Sequence, residues 1–157
     1  MRSRPKSDRE GSDKPPPDPF EAAVRLLALR PHSRMELRRK LVQRRCDAAL
    51  IDAALDRAAE LGYLDDAAYA RSLVRLRSST RGRAAIGAEL AARGVGRDLA
   101  AEVLGEIDSE AQLESAIRLL RKMPLATTRP ELLLARLQRR GFAPGLARMA
   151  WRAVQSP

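Results

Sequence analysis

The chain carries a single cysteine, Cys46. A disulfide framework is therefore excluded, and the usage fits a reducing compartment. One histidine, His32, leaves no second imidazole for a metal site or a proton relay. Five aromatic side chains, Phe20, Tyr63, Tyr69, Phe142 and Trp151, are too few for a domain that stacks bases on aromatic platforms. No apolar run approaches the ~18 residues of a membrane span, and no apolar segment follows Met1 as a secretory signal would require. Phosphate-cradling glycine loops are missing as well. These absences predict a soluble, cytoplasmic protein with no membrane association, no cofactor, no metal and no catalytic centre.

What is present is apolar mass and positive charge. Of 157 residues, 45% are hydrophobic, enough for a packed core. Lys and Arg number 30 against 20 Asp and Glu, a net charge of +10 that points to a polyanionic partner. Only Lys6, Lys14, Lys40 and Lys122 are lysines, so arginine, with its planar fork suited to phosphate and carboxylate, dominates.

Residues 1–19 hold five of the ten prolines and almost no aliphatic side chain, which predicts a disordered tail with the ordered protein starting at Phe20. Beyond it, apolar residues recur at three- and four-residue steps, as in Phe20, Val24, Leu27, then Leu37, Leu41, then Leu50, Ala54, Leu55, Ala58. Ser33-Arg-Met-Glu36 reads as a capping box, and Thr128-Arg-Pro-Glu131 repeats that signature. Gly62, Gly94 and Gly141 follow apolar stretches, where a left-handed helix end favours glycine.

An internal repeat emerges. Leu37, Ile86 and Leu133 align, at offsets of 49 and 47 residues, and Leu41, Leu90 and Leu137 follow in step. Leu50, Leu99 and Leu146 coincide, then Leu55, Leu104 and Trp151; upstream, Phe20, Tyr69 and Ala116 correspond. The predicted fold is all-α, with three tandem three-helix repeats over 20–64, 65–107 and 108–157.

The chemical inventory is thin. His32, after Pro31, reads as an exposed turn residue, and Cys46 as a small packing group. Asp65 and Asp66 precede a helix and read as cap and dipole partner. Phe20, Tyr69, Phe142 and Trp151 fall at core registers.

The basic residues carry more. Charge divides as +1 for the tail and +3, +1 and +5 for the three repeats. Arg44, Arg93 and Arg140 are repeat-equivalent; they act either as dipole partners at helix C-termini or as phosphate contacts. Arg38, Arg39 and Lys40, and Arg77, Arg81 and Arg83 of the connector, crowd without acidic neighbours in sequence, which favours phosphate contact; Arg45, Arg136 and Arg139 flank the aligned arginines and complete the candidate interface with nucleic acid or a filament.

Several of these segments resemble the RecX family, bacterial regulators of the RecA recombinase. Leu61-Gly-Tyr-Leu-Asp-Asp66 with Ala-Ala-Tyr69-Ala is similar to the family's junction between first and second units. Ser33-Arg-Met-Glu-Leu37 with Leu41 resembles its first-unit signature, and Ile86-Gly-Ala-Glu-Leu90-Ala-Ala-Arg-Gly94-Val its second. Arg45 departs from the glycines at 94 and 141, Ala116 from the aromatics at 20 and 69, and Ser78, Ser79 and Thr80 dilute a connector that is usually more basic. The resemblance implies an elongated curved array of the three units that docks along the groove of a RecA–DNA filament and restrains ATP hydrolysis and strand exchange in recombination and DNA repair; a monomer is expected. Two other readings stay open: an autonomous DNA-binding protein, and a scaffold for an acidic protein.

Overall fold

The computed structural model describes residues 15–156, so the tail expectation for 1–14 lies outside the described residues. Among them the chain forms nine helices and no strand. They are α1 (Pro19–Leu29), α2 (Arg34–Gln43), α3 (Ala48–Glu60), α4 (Asp66–Arg77), α5 (Arg83–Ala92), α6 (Arg97–Gly105), α7 (Ser109–Arg121), α8 (Pro130–Arg139) and α9 (Pro144–Gln155).

Local chemistry sets the helix starts. An aspartate caps the first helix of each three-helix group: Asp18 accepts from the Phe20 amide, Asp65 from Ala68, and Asp108 from Glu110 and Ala111. Ordered structure thus begins earlier than Phe20, because Asp18 caps α1 and Pro19, buried, occupies its first turn, where proline's missing N–H costs nothing. The Ser33–Glu36 capping box forms at α2 as the spacing predicts. Its expected counterpart at Thr128 does not. The N-cap of α8 is Arg129, with Pro130 in the first turn and no side-chain cap. The repeat register itself explains this, since Ser33, Gly82 and Arg129 are equivalent and all three are N-caps.

Three hydrophobic clusters form, one in each group of helices. The equivalent residues Leu37, Ile86 and Leu133, and Leu41, Leu90 and Leu137, are fully buried and anchor them. Tyr69 and Phe142 are buried, while Phe20 and Trp151 pack partly buried against their clusters. The Arg57 guanidinium lies 4.4 Å from the Phe20 ring centroid, a cation–π contact. Leu50 departs from the predicted register: it is exposed, and the β-branched neighbour Ile51 takes the buried position. Leu99 and Leu146 are partly buried in the second and third clusters.

The middle helices of the three groups meet end to start. At the first seam, the Ser33 hydroxyl opening α2 donates to the Arg93 carbonyl closing α5. At the second, the Gly82 and Ala84 amides opening α5 donate to the Arg140 and Gly141 carbonyls closing α8. The turn that ends each middle helix is left-handed, at Arg45 (φ 59°), Gly94 (φ 77°) and Gly141 (φ 89°). Glycine is required at two of them for a second reason. A Cβ on Gly141 would lie 2.5 Å from the Ala85 Cβ, and one on Gly94 2.5 Å from the Met35 Cγ. Among the described residues no further three-helix group stacks on the Arg45 turn, whose side chain is exposed, so an arginine is accommodated there.

Candidate nucleic-acid and filament interface

The twelve basic candidates fall mainly at the ends and seams of α2, α5 and α8. The middle helix α5 carries one arginine, Arg83, and one glutamate, Glu89, on a body of alanine, glycine and aliphatic residues. Positive charge is therefore concentrated where middle helices meet or end.

Glu89 decides much of what happens next. Its carboxylate accepts two bonds from the Arg77 guanidinium, both 3.0 Å, and a third from Arg93, 3.0 Å, with Arg81 at 3.8 Å. Hydrogen bonding from Arg77, ahead of that from Arg93, holds the Glu89 carboxyl below the usual carboxylate range despite its burial. Arg93 reaches on across the first seam to Glu36, 3.2 Å, and to the Tyr69 hydroxyl, 3.1 Å. Burial raises the pKa of the Tyr69 phenol. The crowding of Arg77 and Arg81 without acidic neighbours holds only along the chain; in space, Glu89 stands among them.

Other candidates have lighter commitments. Arg38 pairs with Asp52 at 3.2 Å, both exposed. Arg83 donates to the Ile107 carbonyl and to the Ser109 hydroxyl. Arg39 donates to the Ala92 carbonyl at 3.4 Å across the first seam, and Arg140 to the Thr80 carbonyl at 3.5 Å across the second. Among the described residues, no carboxylate lies within ion-pair distance of Arg39, Lys40, Arg44, Arg45, Arg83, Arg136, Arg139 or Arg140. All but the half-buried Lys40 are exposed. Two sets result: Arg39, Lys40, Arg44 and Arg45 on the outer part of α2 and its turn, and Arg83, Arg136, Arg139 and Arg140 at the second seam and the end of α8.

Two residues sit differently from their sequence reading. His32 is buried rather than exposed: it follows Pro31 into the first seam, lined by Leu27 of α1, the Gly62–Tyr63 turn and Tyr69 of α4. Its Nδ1 lies 2.8 Å from the Arg30 carbonyl, an acceptor only, so the proton resides on Nδ1 and Nε2 is a buried acceptor with no partner. Burial lowers its pKa. Asp66 does more than offset a helix dipole: its carboxylate accepts the Arg34 amide at 2.7 Å, helping to cap α2 from the neighbouring group. Sequence periodicity carries no trace of such cross-seam bonds. Cys46 is buried, and burial raises its thiol pKa. No cluster of His, Cys, Asp or Glu among the described residues could hold a metal ion, and no helix among them is long and apolar enough to cross a membrane.

Comparison with known proteins places this geometry. The family description "RecX, first three-helix domain" matches residues 20–57, and "RecX, second three-helix domain" matches residues 65–104. A "Regulatory protein RecX" from Thermus thermophilus is 41% identical, covering 85% of this chain and 89% of that protein. One from Pelodictyon phaeoclathratiforme is 34% identical, covering 92% and 89%. In fold, the crystal structure of RecX from Lactobacillus salivarius superposes with a TM-score of 0.81 at 20% identity, covering 87% of this chain and 94% of that one.

Proposed function

This chain belongs to the RecX family of regulatory proteins, and from that premise we propose that it binds RecA and RecA–DNA filaments and restrains ATP hydrolysis and strand exchange, with no catalytic centre of its own. The observation that carries the reading is the placement of exposed arginines without carboxylate partners at the ends of the first and third middle helices, α2 and α8. A filament repeats its phosphates and acidic side chains along a groove. Cations spaced along an array of units can meet that repeat through many weak contacts, each favouring phosphate or carboxylate. Linked contacts raise avidity without any single strong one, and units that touch neighbouring protomers resist the rearrangements that accompany nucleotide turnover. The work is done in the cytoplasm by a monomer.

Arg93 supports this function from within by joining the first two units, and Arg77 by fixing Glu89 inside the second, whereas Arg44, Arg45, Arg139 and Arg140 face outward and serve as contacts. Co-sedimentation with RecA filaments tests the division. Reversing Arg39, Lys40, Arg44 and Arg45 to glutamate abolishes pelleting with the filament while far-UV circular dichroism stays unchanged. An ATPase rate on RecA filaments that is indifferent to saturating wild-type protein refutes the reading. A steep salt dependence of binding to single-stranded DNA alone would instead favour an autonomous DNA-binding protein, and a flat one a scaffold for an acidic protein.

A further inference from the structure

The two seams are built from different chemistry. At the first, carboxylates join bonds to backbone carbonyls, from the Ser33 hydroxyl to Arg93 and from Arg39 to Ala92. Arg93 of α5's closing turn donates to Glu36 of α2 at 3.2 Å while holding Glu89 at 3.0 Å. Asp66 of α4 accepts the Arg34 amide of α2. The close approach there is glycine against the root of one side chain: a Cβ on Gly94 would run into the Met35 Cβ and lie 3.7 Å from its Cα.

At the second seam, no carboxylate takes part among the described residues. The Gly82 amide donates to the Arg140 carbonyl at 2.9 Å and the Ala84 amide to the Gly141 carbonyl at 3.3 Å. Gln112, buried, donates from Nε2 to the Ser78 and Arg81 carbonyls, both 3.3 Å, and so ties α7 to the connector before α5. The close approach is backbone against backbone. A Cβ on Gly82 would run into the Gly141 carbonyl group and the Phe142 amide, and one on Gly141 would lie 2.9 Å from the Ala85 Cα.

We infer that the first seam is an ionic hinge and the second a fixed splice, so that the first three-helix unit swings against the other two when ionic strength rises. Partly exposed ion pairs are screened by salt: the Debye length shrinks from ~10 Å at 0.1 M to ~3 Å at 1 M. Neutral backbone bonds enclosed by glycine contacts feel little of that change. With Arg93 loosened, the first seam keeps the Ser33 hydroxyl bond to the Arg93 carbonyl and the Gly94–Met35 contact, about which the unit turns, whereas several main-chain contacts at once hold the second seam. The inference concerns the protein alone and stands whether or not a RecA filament is its partner.

Pulsed electron-electron distance measurements on the full chain test it. Cys46→Ala removes the native thiol, and spin labels go to exposed positions, Ala49 with Ala101 across the first seam and Ala101 with Met149 across the second. Between about 0.1 and 1 M NaCl the first distribution roughly doubles in width while the second keeps its width, with helix content constant. Glu36→Gln retains the capping hydrogen bond but lacks the charge, so it broadens the first distribution already at low salt and removes most of its salt response. Equal behaviour of the two pairs, or a Glu36→Gln protein that matches its parent at low salt, overturns the inference.

Discussion

Replacing Gly141 with alanine separates the two demands that the seam makes on one residue. The first is conformational. At φ 89°, a left-handed geometry, an L side chain costs roughly 1–2 kcal/mol. The second is spatial. The new Cβ would sit 2.5 Å from the Ala85 Cβ and 2.9 Å from its Cα, far inside the ~3.5–4.0 Å of ordinary contact. Both atoms are fixed on α5, so relief requires parting the third unit from the second, an overpacking cost of about 1–3 kcal/mol. The total is about 2–5 kcal/mol. Gly62→Ala isolates the first term, because Gly62 has φ 78° and nothing lies within 4 Å of its would-be Cβ; its cost is roughly 1–2 kcal/mol. Gly94→Ala carries both terms as well, since its new Cβ would run into the Met35 Cβ, which is fixed on α2. Arg45→Gly relieves strain at φ 59° but frees the unfolded chain by about 0.4–1 kcal/mol, leaving a net stabilisation of about 0–1.6 kcal/mol. Urea denaturation combined with native-state hydrogen exchange at the core amides of each unit measures the series, since a modular array need not unfold in one step. Equal costs for Gly62→Ala and Gly141→Ala would refute the seam argument.

Arg93→Ala leaves Glu36 and Glu89 half-buried without their shared guanidinium and destabilises the first two units by about 1–2 kcal/mol, while Arg93→Lys restores only part because one ammonium cannot fork between two carboxylates; chemical denaturation reads both. Stability falls on acidification through the His32 ring: its lowered folded-state pKa gives a contribution that is complete above the unfolded value of ~6.5 and is lost as pH drops toward the folded value. A pH series of melting curves shows the loss in the wild type and a flatter profile for His32→Gln. Glu89→Lys frees Arg77 and Arg93, weakening the first seam while steepening the salt dependence of single-stranded DNA binding, both measurable on one preparation.

The helical fold is legible in the sequence because its signals are local and repeated. Leu37, Ile86 and Leu133 announce a buried register three times over, and Ser33 with Glu36 marks a helix start within four residues. Thr128 misleads because a cap motif matched in isolation ignores the repeat register, which points to position 129. Leu50 and Ile51 are adjacent aliphatics, and one-dimensional spacing does not say which faces inward. The basic face is only half legible. Counting acidic neighbours along the chain is blind to pairs such as Arg77 with Glu89, 12 residues apart, or Arg93 with Glu36, 57 apart. The burial of His32 escapes for the same reason, since the walls around it come from other parts of the sequence.

One aligned position accounts for how the arginines divide. Lys40, Glu89 and Arg136 are repeat-equivalent, so the middle unit alone carries an acid there. That acid stands one turn before Arg93 and holds it, together with Arg77. In the outer units the equivalent residue is itself a cation and cannot pair, which leaves Arg44 and Arg140 without a carboxylate. A second aligned position, Glu36, Ala85 and Leu132, sets the other half of the contrast. Glu36 meets Arg93 across the first seam, whereas Ala85 meets the closing turn of α8 with no charge to offer. The net charges of +3, +1 and +5 follow the same division. Acid in the middle unit holds Arg93 at the first seam and Arg77 within the unit, and its lack in the outer units leaves arginine exposed. Two substitutions within one repeated framework thus separate the residues that join units from those able to meet a polyanion.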